Sequence, residues 1–137
     1  MLGRHDNHGL SSGNLQYFAI AVGGAAGAIL RFWVSGGVHV WLGRAFPWGT
    51  LVVNVIGSLL IGVLGVLLVE RLDVSDELRF GVLVGLLGSF TTFSTFSIET
   101  LTLLEQGHIV RAVLNAGLSV IVCILAAWLG VALGRQL

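Results

Sequence analysis

The sequence predicts an all-α integral membrane protein with four short spanning helices in each subunit. Charged residues make up only 10 % of its 137 residues, against 55 % hydrophobic. An ordinary soluble domain carries about 25 % charge, and so little charge cannot cover a surface in water. The mean hydropathy of +0.96 agrees. The charges are also segregated: residues 7–30, 45–69, 80–98 and 112–134 contain none. A helix needs roughly 20 apolar residues to cross the hydrocarbon core, and it satisfies its own backbone hydrogen bonds where lipid cannot.

The first span is expected at about residues 15–36, behind a polar tail over 1–14 that is expected to be mobile. The tail carries one arginine, Arg4, and no clear cleavage site follows the apolar stretch, so a removable signal peptide is not indicated. The second span is expected at about 48–69, after a loop Gly37–Pro47 that holds Arg44 and the only proline. Trp41 and Trp48 suit the membrane interface there. The loop Glu70–Leu78 collects Glu70, Arg71, Asp73, Asp76 and Glu77. Ser75 followed by two acids reads as the N-cap of the third span, expected at about 78–104. The loop Glu105–His108 is so short that the third span and the fourth, at about 109–134, must form a tight antiparallel hairpin. The chain is thus a tail plus one transmembrane domain over 15–137. Cys123 is the only cysteine and sits between Val122 and Ile124, which suggests a lipid- or core-facing thiol and excludes an intrachain disulfide.

Charge bias across the membrane is slight. Arg4, Arg71, Arg79 and Arg135 fall on one side; Arg44 and Arg111 fall on the other, with Arg31 near that end of the first span. There is no lysine. Orientation follows such an excess, so two arrangements stay open. One is a weak preference for the amino terminus inside. The other is insertion both ways, which permits an antiparallel homodimer. Gly23 and Gly27 share a face with Arg31, and Ser58/Gly62, Gly81/Gly85 and Gly130/Gly134 repeat the four-residue spacing. Such pairs let helices approach closely, within a subunit or between subunits.

Enzyme signatures are missing. His5, His8, His39 and His108 form no metal-ligand cluster, and no glycine loop leads to a helix-starting lysine. With seven arginines and zero formal charge, a nucleic-acid surface is not expected. Polar residues inside the spans stand out instead, because such groups face a partner or a watery path. Thr50, Asn54 and Ser58 share one face of the second span, and Asn115 and Ser119 share one face of the fourth. The third span holds Gly88-Ser89-Phe90-Thr91-Thr92-Phe93-Ser94-Thr95-Phe96-Ser97. Neutral hydroxyls and amides can bind a dehydrated anion without trapping it. The run is also a poor helix former, and a break at mid-membrane frees carbonyls for a hard cation such as sodium. Phe90, Phe93 and Phe96 recur every third residue. Their positive ring edges can face an anion, or the stripe is plain packing. Arg31 and Glu99, near span ends, either snorkel to the headgroups or serve as vestibule charges.

The run Gly88–Ser97 followed by Glu99 resembles the third-helix signature of the CrcB/Fluc fluoride channels. Pro47-Trp48-Gly49-Thr50-Leu51-Val52-Val53-Asn54 resembles that family's second-helix motif, and Gly27-Ala28-Ile29-Leu30-Arg31 its first-helix end. The likeness covers about residues 15–134. At Ser89 and Phe90 many relatives carry Gly and a smaller apolar residue. The resemblance implies an antiparallel, dual-topology homodimer with two pores in the bacterial inner membrane, exporting fluoride passively. It implies Phe93, Phe96 and Asn54 as pore residues, with Thr50, Ser94 and Ser119 as hydroxyls along the track. It implies backbone carbonyls of Gly88 and Thr91 on one structural sodium ion at the dimer interface, which is not transported. Arg31 and Glu99 match charged positions of the family. Two competing functions differ in what they require. A small proton-coupled exporter needs a buried carboxylate in its first span, and this one has none. A non-transporting assembly subunit would use the polar run only to bind a partner helix.

Overall fold

The computed structural model describes residues 8–137, with side-chain surroundings from residue 13 onward. The first seven residues of the expected tail lie outside the described residues, and the rest of it opens the first helix. Helix α1 covers His8–Leu42, and α2 covers Trp48–Gly65 and runs into a wider π-helical turn, Val66–Arg71. Helix α3 (Asp76–Phe80) continues through a π-helical stretch, Gly81–Leu87, into the single turn α4 (Gly88–Phe90). Helices α5 (Phe93–Glu105) and α6 (Ile109–Gly134) complete the described chain. Four segments are long and apolar enough to cross a membrane: Gly13–Leu42, Trp48–Arg71, Asp76–Glu105 and Ile109–Gly134.

Local chemistry sets the ends. Ser75 caps α3 by accepting from the Leu78 N–H at 3.3 Å, as its position before two acids predicts. Helix α5 stops at Gly107, whose φ of +77° needs no Cβ. The Gly107 N–H then donates to the Leu104 carbonyl, and the His108 N–H reaches back to Leu103. This doubly bonded reversal satisfies the orphan carbonyls and starts α6 at once. Helix α1 runs past the expected loop start to Leu42, because Val38, Val40, Trp41 and Leu42 keep the segment apolar. It ends at Gly43, also at φ +77°, whose N–H donates to the His39 carbonyl at 3.0 Å.

The small residues act inside the subunit. A Cβ added to Gly23 would strike the Gly81 carbonyl, and one on Gly27 would strike that of Leu86. Helix α1 therefore lies directly on the π-helical backbone of the third span. In the same way Gly62 meets the Ala127 carbonyl and Gly130 meets that of Leu59, which locks α2 against α6. Arginines tie one end of the bundle: Arg79 Nε donates to the Leu68 carbonyl at 3.1 Å and its guanidinium pairs with Asp76 at 2.9 Å. Arg71 donates to the Arg135 carbonyl there. At the other end, Arg111 donates to the Ala45 carbonyl at 3.2 Å. Little else is sealed. Only 6 % of the most apolar window of Gly13–Leu42 is buried, and 11 % of that in α6, so these faces are left for lipid or another chain.

Candidate functional site

The helical path of the third segment is interrupted at two residues. Thr91 (φ −79°, ψ 157°) and Thr92 (φ −151°, ψ 117°) are extended between α4 and α5. Asn54 of α2 faces this interruption. The Thr92 N–H donates to Asn54 Oδ1 at 2.8 Å, and Asn54 Nδ2 donates to the Thr92 carbonyl at 3.0 Å. Thr92 also starts α5: its Oγ1 accepts from the Thr95 N–H at 3.3 Å and lies 3.0 Å from Thr95 Oγ1.

These bonds redirect two backbone donors. In an unbroken helix the Thr92 N–H would donate to Gly88 and the Thr95 N–H to Thr91. Here they serve Asn54 and Thr92, so the Gly88 and Thr91 carbonyls lose their helical partners. Thr91 itself closes the preceding turn, with both its N–H and its hydroxyl donating to the Leu87 carbonyl at 3.1 Å.

Beside the interruption lies a cleft of about 450 Å³. Asn54, Ser58, Phe93, Phe96 and Ser119 line it, and no charged residue does. The Phe93 and Phe96 rings are tilted at 45° with centroids 5.3 Å apart, so they present edges and faces at an angle and do not stack flat. Phe93 is 77 % exposed, while Ser119 is 8 % exposed. Ile61, Val120, Cys123 and Ile124 line the cleft as well, so Ser119 is a buried polar group at the floor of a mostly apolar cleft. Behind the floor, Asn115 is buried and donates to Thr100 Oγ1 at 2.8 Å, and that hydroxyl donates to the Phe96 carbonyl at 2.7 Å. This chain fixes α6 to the turn that carries Phe96.

A second cleft opens on the α1 side of the same threonines. Thr50, Arg31, Arg44, His39 and Glu99 line it, and Thr92 is common to both clefts. Glu99 Oε2 is buried there and makes no hydrogen bond.

The residues singled out in the sequence thus fall into two groups. Asn54, Phe93, Phe96, Ser119 and Thr91 meet in the first cleft; Thr50, Arg31 and Glu99 meet in the second. Ser94 lines neither; it is exposed, with its hydroxyl 3.4 Å from Thr92 Oγ1. Gly88 sits just before the interruption and is exposed. Thr92 escapes the sequence reading, although a threonine preceding Phe-Ser-Thr carries an N-cap signal. Among the described residues no group of three or more His, Cys, Asp or Glu could hold a metal.

Four helical segments long and apolar enough to cross the bilayer define a multi-pass membrane protein. The sequence profile described as "CrcB-like protein, Camphor Resistance (CrcB)" matches residues 18–131. The chain belongs to the CrcB family. It is 56 % identical over 124 residues to a protein of Methylococcus capsulatus named "Fluoride-specific ion channel FluC", a match covering 90 % of this chain and 54 % of the relative. Proteins of the same name from Magnetococcus marinus and Geobacter sulfurreducens are 53 % and 51 % identical, covering 88 % and 87 % of this chain and 98 % and 96 % of the relatives.

Proposed function

We propose that this chain is a subunit of a fluoride-specific ion channel, a passive transport protein and not an enzyme, which lets fluoride leave the cell. The observation that carries the reading is the first cleft: neutral hydroxyl and amide groups face two tilted phenylalanines with no fixed charge among them. The names of relatives that match nearly end to end support it.

The chemistry follows from what fluoride needs. HF crosses lipid and dissociates at the higher pH inside, which traps the anion. The negative interior then drives fluoride outward through any path that admits it. A narrow path of donors and aromatic edges offsets part of the dehydration cost and binds weakly enough to release. Asn54 keeps one amide hydrogen beyond the bond to Thr92, and Ser119 offers a hydroxyl at the floor. Thr50 and Ser94 extend the track on the α1 side and along α5. Arg31 supplies positive potential at an entrance, with Glu99 beside it.

The functional unit in this reading is an antiparallel homodimer of dual topology with two pores, seated in the bacterial inner membrane. The slight arginine bias and the largely uncovered faces of α1 and α6 support it. The third helix is broken at mid-membrane, and the Gly88 and Thr91 carbonyls of both subunits hold one structural sodium ion. Their fit rests on the redirected donors Thr92 N–H and Thr95 N–H. Sodium would supply fixed positive charge that joins the subunits, without itself being transported.

Efflux of fluoride and of chloride from liposomes holding the purified protein tests the reading. Fluoride loss without chloride loss, slowed in Phe96→Ile, is the expected result. A well-folded preparation that releases no fluoride would overturn it.

A further inference from the structure

The second cleft contains a titratable group to which the reading above gives no task. His39 stands near the end of α1, half-buried, with its ring laid on the backbone of Gly49. A Cβ at Gly49 would lie 2.6 Å from His39 Cε1 and 2.9 Å from Nδ1, so any larger residue there would displace the imidazole. The ring is thus seated against the start of α2, beside Thr50, and lines the same cleft as Glu99.

Charge in this cleft is unbalanced. Arg31 faces His39 from α1, Arg44 from the loop after it, and Glu99 from α5. Helix α2 adds only the uncharged Thr50 and Val53, and α6 adds no lining residue. Neither arginine pairs with Glu99, since the ion pair found among the described residues joins Arg79 and Asp76. Glu99 Oε2 is buried with no hydrogen bond, and His39 lines the same cleft without an ion pair to it.

We propose that His39 is a positioning residue that sets the charge of this entrance through Glu99, so that anion passage quickens as pH falls. The imidazolium offsets the Glu99 charge across the shared cleft and leaves Arg31 and Arg44 to draw the anion in. The neutral ring leaves the carboxylate to repel it. An imidazole ordinarily changes charge between pH 5 and 8, the range in which such control is useful to a cell meeting acid. The inference rests on the conduction reading given under Proposed function.

The test is fluoride efflux from liposomes at equal inside and outside pH, at about pH 5.5 and about pH 8. Each rate is corrected with protein-free vesicles for leakage of HF. The parent should run roughly three- to fivefold faster at the acid pH, the effect of one unit charge acting at about 10 Å across a half-wet cleft. His39→Gln should elute as the parent does and lose the dependence, holding the parent's slow rate at both pH values. Glu99→Gln should also be flat. A flat profile in the parent, or an undiminished dependence in either folded variant, overturns the proposal while leaving conduction intact. No fluoride efflux from the parent at either pH removes both.

Discussion

Asn54 and Thr92 complete each other: one side-chain amide meets both the N–H and the carbonyl of a single extended residue, at 2.8 and 3.0 Å. The amide supplies across two helices what a neighbouring strand would supply in a sheet. Without it, the backbone of Thr92, itself only 8 % exposed, has no partner at the interruption.

Asn54→Ala should therefore leave two backbone groups unpaired and destabilise the fold by about 2–4 kcal/mol. Thermal melting in detergent measures this, and fluoride efflux should fall with it. An unchanged melting temperature would show that the amide is dispensable to the interruption.

The glycine contacts separate by position. Gly27→Ala puts a methyl on the Leu86 carbonyl, and Gly130→Ala puts one on that of Leu59; each should cost about 1–3 kcal/mol. Gly117 has open space around the added Cβ, so Gly117→Ala should be neutral or stabilising by up to about 1 kcal/mol. Melting the three variants side by side gives the ranking.

Phe93→Ile and Phe96→Ile keep apolar bulk but remove ring edges from the cleft. Each should slow fluoride efflux roughly threefold to tenfold, the equivalent of about 0.5–1.5 kcal/mol per aromatic contact, with little change in melting. Equal slowing of fluoride and chloride leakage would instead point to a packing defect.

Exchanging sodium for a large organic cation should lower the melting temperature of the assembly, since a ligand at 100-fold its Kd stabilises by about 2.7 kcal/mol. Thr91→Pro deletes the N–H that donates to Leu87 and disfavours helical geometry at Phe90. It should abolish either the sodium effect or the dimer. A variant that keeps both would discard the carbonyl site.

Arg44 and Arg135 are exposed. Single cysteines at these positions, in a Cys123→Ser background, should each react with an impermeant thiol reagent from both sides of the membrane. One-sided labelling would rule out dual topology.

The number and approximate places of the apolar segments were legible because runs so long without charge fit lipid and little else. The caps at Ser75 and the short turn at Gly107 were legible from local chemistry alone. The continuation of α1 through Gly36 and Gly37 was not: two glycines read as a boundary, yet each costs a helix only about 1 kcal/mol, and the apolar residues beyond carry it on. The π-helical stretches left no periodic signal, because a wider turn shifts the apolar face without changing composition. In the site, residue types were legible and pairings were not. Asn54 reads as a free donor until Thr92, 38 positions away in sequence, is seen to occupy most of its amide. Thr50 and Ser119 line two clefts that share Thr92, a division with no signal in the sequence.

The two extended threonines also have an electrical meaning. Cutting a long helix makes two new termini, one with carbonyls carrying about half a negative charge and one with amides carrying about half a positive charge. The turn ending at Phe90 brings the first, and the turn starting at Phe93 brings the second. Two residues of extended chain thereby create a dipole pair inside an apolar segment, giving a cation and an anion each a terminus of suitable sign without a single ionised side chain.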